Sequence, residues 1–348
     1  MNSIRKQFTC MSSKRYIKAI SNRCLSALAE DSKRQNDIFD AEQKRQKEAV
    51  GRIEKIEVQY EGIPANETLI MNRFLSTPYD CAKHLGDKVK DKSVVALLNG
   101  DTLWHMHRPL PTSCKLELLH YHMPNPSAVN KTFWRSCSFL LGAVILDAFK
   151  DDVDVQLHSF PSPNVKSGSF VYDVQLSLDD WKPTVPELKV LSINMIKFCQ
   201  KEHHLECLDV SKDIALEIFK NNPHKTQQIP DIAEHNGDKI TLYKAGPHID
   251  ISKGPMIPNT RHMGRITVSN VIKLDTDIPG GPIYRFQGVA LPAAITLNHF
   301  AYSILEERAR NLVSNLTKKQ FFTVQSWVVS EIRFPHFFSG TRNFLFGK

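Results

Sequence analysis

Ser252 is the residue whose type and setting come closest to those of a catalytic nucleophile. It lies where a predicted strand, His248–Ile251, gives way to a Gly-Pro turn, and His262 follows ten residues later. A Ser–His pair also needs an orienting group and hydrogen-bond donors for an oxyanion. The sequence offers neither in a recognisable spacing, so we do not expect a Ser252–His262 hydrolase.

Histidines and cysteines are the candidates for metal binding. His105 and His107 are two residues apart, and His203 and His204 precede Cys207. Zinc sites combine four such ligands at characteristic spacings, which these sets do not complete. Because Cys207 falls in a predicted strand, we expect it to be a buried thiol and the histidines to be exposed. We therefore expect no metal and no other cofactor.

Composition limits the classes of protein that the chain can belong to. Its 348 residues have room for two or three domains, and its net charge of +8 favours an anionic partner such as nucleic acid. No apolar run approaches the roughly 20 residues needed to span a bilayer, so no membrane partner is expected. No glycine-rich phosphate-binding loop is present, which argues against ATP chemistry. The seven cysteines are scattered, as in proteins with reduced thiols.

Two segments precede the first predicted domain. Residues 1–29 contain arginine, lysine and serine but no acidic residue, a pattern typical of a mitochondrial transit peptide. A basic tail that binds RNA is the alternative. Residues 30–51 mix both charges with few apolar side chains, which predicts a charged helical extension. We expect this extension to grip a neighbouring molecule, because it has little apolar face to bury.

Residues 52–122 predict a small β-grasp domain. Residues 53–60 alternate apolar and polar side chains like a half-buried strand, and Asn99-Gly100 is a strong hairpin signal. Between them, Thr77 and Pro78 have the residue types of a helix N-cap and first turn. The predicted order of hairpin, helix and hairpin gives one sheet with one helix packed against it.

Residues 124–316 predict a larger α+β domain with an antiparallel sheet. A long apolar helix over residues 131–149 comes first, and strands and helices follow, including residues 168–176, 185–201 and 283–290.

Ordered motifs in both domains resemble threonyl-tRNA synthetase. Residues 76–82 and 96–101 are similar to the TGS domain, named for threonyl-tRNA synthetase, GTPases and SpoT proteins. Residues 133–142, 169–174 and 249–258 are similar to the editing domain that follows it. The resemblance spans about residues 52–310. It implies a docking module for RNA or a partner, then an editing-type domain.

The resemblance also identifies what is missing. Its editing motifs place two histidines on the helix, and a cysteine and a third histidine in the later loop. This chain has Arg135, Phe139, Ser252 and Met256 there, which we call the lost editing positions. An arginine is permanently charged, and phenylalanine and methionine cannot move a proton or serve as a zinc imidazole. The resemblance therefore implies no catalytic residue and an inactive, filled site.

Residues 317–348 form an aromatic and basic C-terminal tail. Arginines interleaved with aromatic rings can bind RNA, whereas a phenylalanine-rich segment also packs on its own domain or on a protein neighbour. Both alternatives stay open. The basic residues with which we expect RNA phosphates to be bound are Arg135, Lys253, Arg261, Arg265, Arg333 and Arg342.

Together these features resemble a family of mitochondrial large-subunit ribosomal proteins related to threonyl-tRNA synthetase. The resemblance implies a structural protein of the mitochondrial matrix that binds rRNA and neighbouring ribosomal proteins, with no small-molecule substrate. Two alternatives stay open: a free-standing trans-editing deacylase of mischarged tRNA, and an RNA-binding regulator off the ribosome.

Overall fold

The computed structural model describes residues 27–150, 152–162, 169–274 and 280–311, which form eight α-helices and twelve β-strands. The predicted transit segment, apart from residues 27–29, and the C-terminal tail 317–348 lie outside the described residues. Helices and sheets are mixed along the chain, so the protein is an α+β protein, as the sequence predicts.

The charged extension is a helix, α1 (Ala27–Glu48), that starts three residues before the predicted boundary at residue 30. Its Phe39 is fully buried in an apolar cluster with Val210 and Ile249. The Gln46 amide also donates to the carbonyl oxygen of Asp209 at 2.7 Å. Phe39 is the one fully buried apolar side chain among the described residues of the helix, in line with the small apolar face that the sequence predicts, and a contact with a neighbouring molecule stays a prediction. One phenylalanine and a set of polar contacts fix the helix to its own chain.

Residues 55–119 form a five-stranded mixed sheet in the order β2-β1-β5-β3-β4, with β1 and β5 parallel and the other pairs antiparallel. Two short helices join the second and third strands. The elements are β1 (Lys55–Tyr60), β2 (Glu67–Asn72), α2 (Pro78–Leu85), α3 (Asp87–Lys92), β3 (Val95–Leu98), β4 (Thr102–Trp104) and β5 (Cys114–Leu119).

Local sequence signals explain two of these boundaries. The Thr77 hydroxyl accepts from the backbone N–H of Asp80 while the Asp80 carboxylate accepts from that of Thr77, which is a capping box. Asn99 and Gly100 both have positive φ, at 53° and 81°, and close the β3–β4 hairpin. The predictions of the Thr77 cap and of the Asn99-Gly100 turn are confirmed.

Residues 127–311 contain two antiparallel sheets, in the orders β11-β12-β7-β6 and β10-β9-β8. The helices are α4 (Ser127–Ala148), α5 (Val185–Cys199), α6 (Lys212–Ile218), α7 (Pro223–His235) and α8 (His299–Asn311). The strands are β6 (Val155–Ser159), β7 (Phe170–Leu176), β8 (Leu205–Ser211), β9 (Lys239–Ala245), β10 (His248–Ile251), β11 (Met263–Leu274) and β12 (Ile283–Pro292). Helix α7 has no counterpart among the predicted elements.

Helix α4 lies at the centre of the largest apolar cluster. Phe133, Phe139 and Leu140 are buried there with side chains from both sheets. Gly142 allows the helix to approach β7 closely, because a Cβ at this position would lie 2.7 Å from Cε2 of Tyr172. The helix thus packs against Tyr172 and also carries two of the lost editing positions, Arg135 and Phe139. Within the described ranges, no helix is long and apolar enough to cross a membrane.

Candidate functional site

The lost editing positions lie on two elements, α4 and the loop that follows β10. Phe139 and Met256 are both fully buried members of the same apolar cluster. Burial of that much apolar surface stabilises the fold by about 1.5–3 kcal/mol per side chain. At these two positions the structure holds apolar core where the resemblance places histidines.

Hydrogen bonds from side chains of α4 hold the loop after β10 in place. Arg135 Nη1 donates to the carbonyl oxygens of Gly254 at 2.5 Å and Pro255 at 3.3 Å. The Ser136 hydroxyl accepts from the Ile257 backbone N–H at 2.9 Å. Arg135 is half-buried, and its guanidinium anchors the backbone of the loop after β10. Activation of water at this position would need a residue that titrates near neutral pH instead.

Ser252 is not built as a nucleophile. It is buried, and its Oγ accepts a long hydrogen bond, 3.3 Å, from the Gly254 backbone N–H. His262 packs beside Tyr121, with ring centroids 6.2 Å apart, and burial lowers its pKa to about 4. Across the part of the chain that the structure describes, no hydrogen bond joins Ser252 to His262. The absence of a Ser252–His262 hydrolase stays a prediction.

A buried polar set of Lys225, Asp250 and Tyr172 lies beneath the loop. Lys225 Nζ is 2.5 Å from Asp250 Oδ1, with side chains only 3% and 0% exposed. The Tyr172 hydroxyl donates to Asp250 Oδ2 at 2.5 Å, and Lys225 Nζ donates to that hydroxyl at 3.4 Å. Burial, then the Asp250 charge, raises the pKa of Tyr172 well above its usual value. Each charge in the set therefore has a partner.

Sequence reasoning did not assign these three residues to a site. Asp250 carried a signal, since an acidic residue between Ile249 and Ile251 is the charged member of an apolar strand. No feature of the sequence indicates that Lys225 is buried, because the sequence does not predict helix α7. Their partnership depends on the approach of α7 to the strands, which no local pattern encodes.

Phe139 packs against His248, which lies two residues before Asp250 on β10. Their ring centroids are 4.7 Å apart. Burial lowers the pKa of His248 to about 4, although Asp250 opposes this effect. The imidazole is therefore neutral near pH 7, and its Nε2 is buried without a hydrogen-bond partner in the described residues.

The first sheet covers the same loop from outside. His107 Nε2 lies 3.0 Å from the Pro258 carbonyl oxygen, and the His105 ring packs edge-on against Tyr243 at 5.2 Å. Arg108 forms a salt bridge with Asp209. The expectation that His105 and His107 are exposed loop histidines is wrong, because His105 is 1% exposed and His107 is half-buried at a domain contact.

These histidines do not form a metal site with the other candidates. His204 is exposed, whereas Cys207 is buried and its pKa is raised to about 12 by burial, so it holds its proton. Among the described residues, no three His, Cys, Asp or Glu side chains are placed to hold one ion.

The RNA-binding candidates fall into three groups. Lys253 and Arg265 are exposed, and Arg265 stacks on the Tyr302 ring at 4.0 Å. Arg261 pairs with Asp91 at 2.5 Å, and Arg135 is bonded to the loop as described above. The remaining two candidates, Arg333 and Arg342, lie outside the described residues.

Comparison with known proteins gives a consistent set of relatives, although no family model matches the chain. Large ribosomal subunit protein mL39 of Drosophila melanogaster is 48% identical over 277 residues, which cover 80% of this chain and 83% of that protein. The cytoplasmic threonine–tRNA ligase 2 of Homo sapiens is 31% identical over 223 residues, or 62% of this chain. A probable cytoplasmic threonine–tRNA ligase 1 of Dictyostelium discoideum is 30% identical over 194 residues.

The two kinds of relative differ in how much of their length is matched. The chain spans 25% of each of these two ligases but 83% of the Drosophila ribosomal protein. The ligase similarity is therefore partial, whereas the ribosomal similarity covers about four fifths of both proteins. On that basis the chain belongs to the mL39 family of large ribosomal subunit proteins.

Proposed function

We propose that this chain is a structural component of the large subunit of the mitochondrial ribosome, where it binds rRNA and neighbouring ribosomal proteins. The observation that carries the proposal is its 48% identity to a large ribosomal subunit protein over most of both chains. The acid-free, arginine- and lysine-bearing residues 1–29 support import into the matrix. The net charge of +8 supports an RNA partner.

The domain plan of the proposal is a TGS-like β-grasp domain over residues 52–122 and an editing-like domain over residues 124–316. The mixed sheet β2-β1-β5-β3-β4, with two short helices between its hairpins, supports the first. The similarity to threonine–tRNA ligases over 56–62% of the chain supports the pair. In this reading the protein reuses a tRNA-handling scaffold for a structural purpose.

The proposal includes the absence of editing activity. Hydrolysis of a mischarged tRNA needs a group that activates water, and near neutral pH neither Arg135 nor Phe139 nor Met256 can do so. Ser252 is buried and has no histidine bonded to it among the described residues. Covering of the loop by the first sheet would further exclude the 3′ end of a tRNA.

We propose Lys253 and Arg265 as the primary RNA contacts within the described residues, because both are exposed. Arg261 and Arg135 are weaker candidates, since each already has a strong partner. Lys253→Glu should weaken retention on the large subunit and make it more sensitive to salt. Lys88→Glu, which changes an exposed lysine on α3, is the matched control.

Sedimentation of a mitochondrial extract on a sucrose gradient tests the main proposal. The chain should comigrate with the large-subunit rRNA peak. Migration only near the top of the gradient would contradict the ribosomal role and favour a regulator off the ribosome.

A deacylation assay with purified protein tests the non-enzymatic part. Release of the amino acid from mischarged tRNA should match the protein-free control. Turnover that Ser252→Ala abolishes would replace the structural role with trans-editing.

A further inference from the structure

Helix α8 exposes an apolar strip on the face that points away from the protein. Phe300 is 75% exposed and Ile304, one turn further, is 50% exposed. Ile295 and Leu297, just before the helix, are 37% and 39% exposed. We call these four residues the α8 patch. They are four of the ten large hydrophobic side chains that are exposed in the described part of the chain.

The opposite face of α8 is firmly packed, so the exposure of the patch does not come from a loosely attached helix. Tyr302 and Ala309 are buried against Val289. Glu306 Oε1 accepts from the Thr267 hydroxyl at 2.6 Å. A held helix that presents two large apolar side chains one turn apart, with two more just before it, is the arrangement of a docking surface.

The residues that follow α8 have the composition to cover the patch. Residues 320–330 read Gln-Phe-Phe-Thr-Val-Gln-Ser-Trp-Val-Val-Ser and contain no charged residue. Without lysine or arginine, this stretch lacks the groups that neutralise phosphates. Its three aromatic and three valine side chains match an apolar site instead.

We propose that residues 321–329 of this chain dock on the α8 patch. Phe300 lies eleven residues before Asn311, which is about 16 Å along a helix. Nine residues, 312–320, separate the end of α8 from Phe321, and an extended chain of that length reaches up to roughly 30 Å. The connection is therefore long enough to fold back over the patch.

Covalent attachment favours this occupant over a separate protein. A short tether holds a segment at an effective concentration of about 1 mM, well above that of a diffusing partner. The inference does not depend on the ribosomal role, because it concerns the isolated full chain.

Photocrosslinking of the full-length chain tests the docking. In Phe300→p-benzoylphenylalanine, irradiation at micromolar concentration should crosslink position 300 to residues 321–329 of the same molecule. Intrachain crosslinks should exceed interchain ones by a factor on the order of 100 or more, given the tether. Lys88→p-benzoylphenylalanine, at an exposed site on α3, should give no crosslink to that segment.

A second variant separates docking from chance proximity. Combining Phe300→p-benzoylphenylalanine with Phe321→Ser and Trp327→Ser should reduce the intrachain crosslink at least about tenfold, by removing the apolar groups that dock. Crosslinks that persist at full yield would overturn the proposal. So would crosslinks that are absent, that join two chains, or that shift to added large-subunit rRNA.

Discussion

The lost editing positions and the buried polar set lie in the same part of the interior, but different interactions stabilise their buried side chains. Phe139 and Met256 fill space with apolar surface, whereas Lys225, Asp250 and Tyr172 bury two charges and a hydroxyl that bond to one another. Apolar packing at Phe139 and Met256 requires side chains that fill the available space. Burial of Lys225 and Asp250 requires that each charge keeps an oppositely charged or hydrogen-bonding partner. The two regions should therefore respond differently to substitution.

The difference separates what catalysis requires from what the fold requires. Activation of water needs titratable groups open to a substrate, and the lost editing positions contain none. A buried ion pair, once formed, is costly to break from one side. The polar set can thus stabilise the fold without any part in catalysis.

Asp250→Ala should have the largest effect. It leaves the Lys225 ammonium buried without its carboxylate, and it removes the acceptor of the Tyr172 hydroxyl. We expect the free energy of unfolding to fall by about 3–5 kcal/mol. Urea denaturation followed by circular dichroism measures it.

Two matched variants sharpen this result. Asp180→Ala, which breaks an ion pair with Lys273 between side chains that are 89% and 44% exposed, should cost less than about 1 kcal/mol. Asp250→Leu combined with Lys225→Met should recover much of the loss, because no charge is then stranded. A double variant as unstable as Asp250→Ala would show that the pair contributes more than mutual neutralisation.

Phe139→His restores one histidine that the resemblance assigns to an editing site, and it should be the next largest change. It removes apolar contacts in a fully buried position and adds two ring nitrogens to it. We expect a loss of about 2–4 kcal/mol in thermal or urea unfolding. Phe139→Leu, which keeps the position apolar, should cost less than about 1.5 kcal/mol.

The outcome at position 139 also tests how fully the site has become apolar. His248 Nε2 has no hydrogen-bond partner among the described residues and lies across from the Phe139 ring. A stability unchanged by Phe139→His would mean that the two imidazoles pair, so that the position still accepts a histidine.

Buried histidines should make the fold sensitive to acid. Burial lowers the folded-state pKa of His248 and of His262 to about 4, against about 6.5 in the unfolded chain. Below pH 6.5 the unfolded chain binds protons that the folded chain does not, so stability falls as the pH drops toward 4. Each group should account for a loss on the order of 2–3 kcal/mol.

His248→Leu isolates the contribution of His248 to the pH dependence of the unfolding free energy. Measured from pH 7 to pH 4, its unfolding free energy should decline less steeply than that of the unchanged protein. Lys225 opposes protonation of His248, and Asp250 and Asp147 favour it, so the slope reports their balance. Equal slopes in the two proteins would contradict the burial of a neutral imidazole.

Sequence reasoning reached the fold class, the capped helix at Thr77 and the Asn99-Gly100 hairpin, because each depends on local residue types. For Arg135 and Phe139 a motif fixes the frame, and their lack of catalytic function stays a prediction. Sequence reasoning failed where distant elements meet. The burial of His105 follows from the contact of the first sheet with Tyr243, and Lys225 enters the core through a helix that carries an internal proline, Pro230.

Ser252→Ala should have the smallest effect of all. The hydroxyl accepts one long bond from Gly254 and, within the described residues, is bonded to no histidine. Its removal should change the unfolding free energy by less than about 1 kcal/mol and leave association with the large subunit unchanged. Urea denaturation and gradient sedimentation measure the two quantities. A loss of unfolding free energy larger than that of Phe139→His, or a loss of association with the large subunit, would contradict this expectation. Either result would show that the Ser252 hydroxyl has an interaction partner that matters for stability or for assembly.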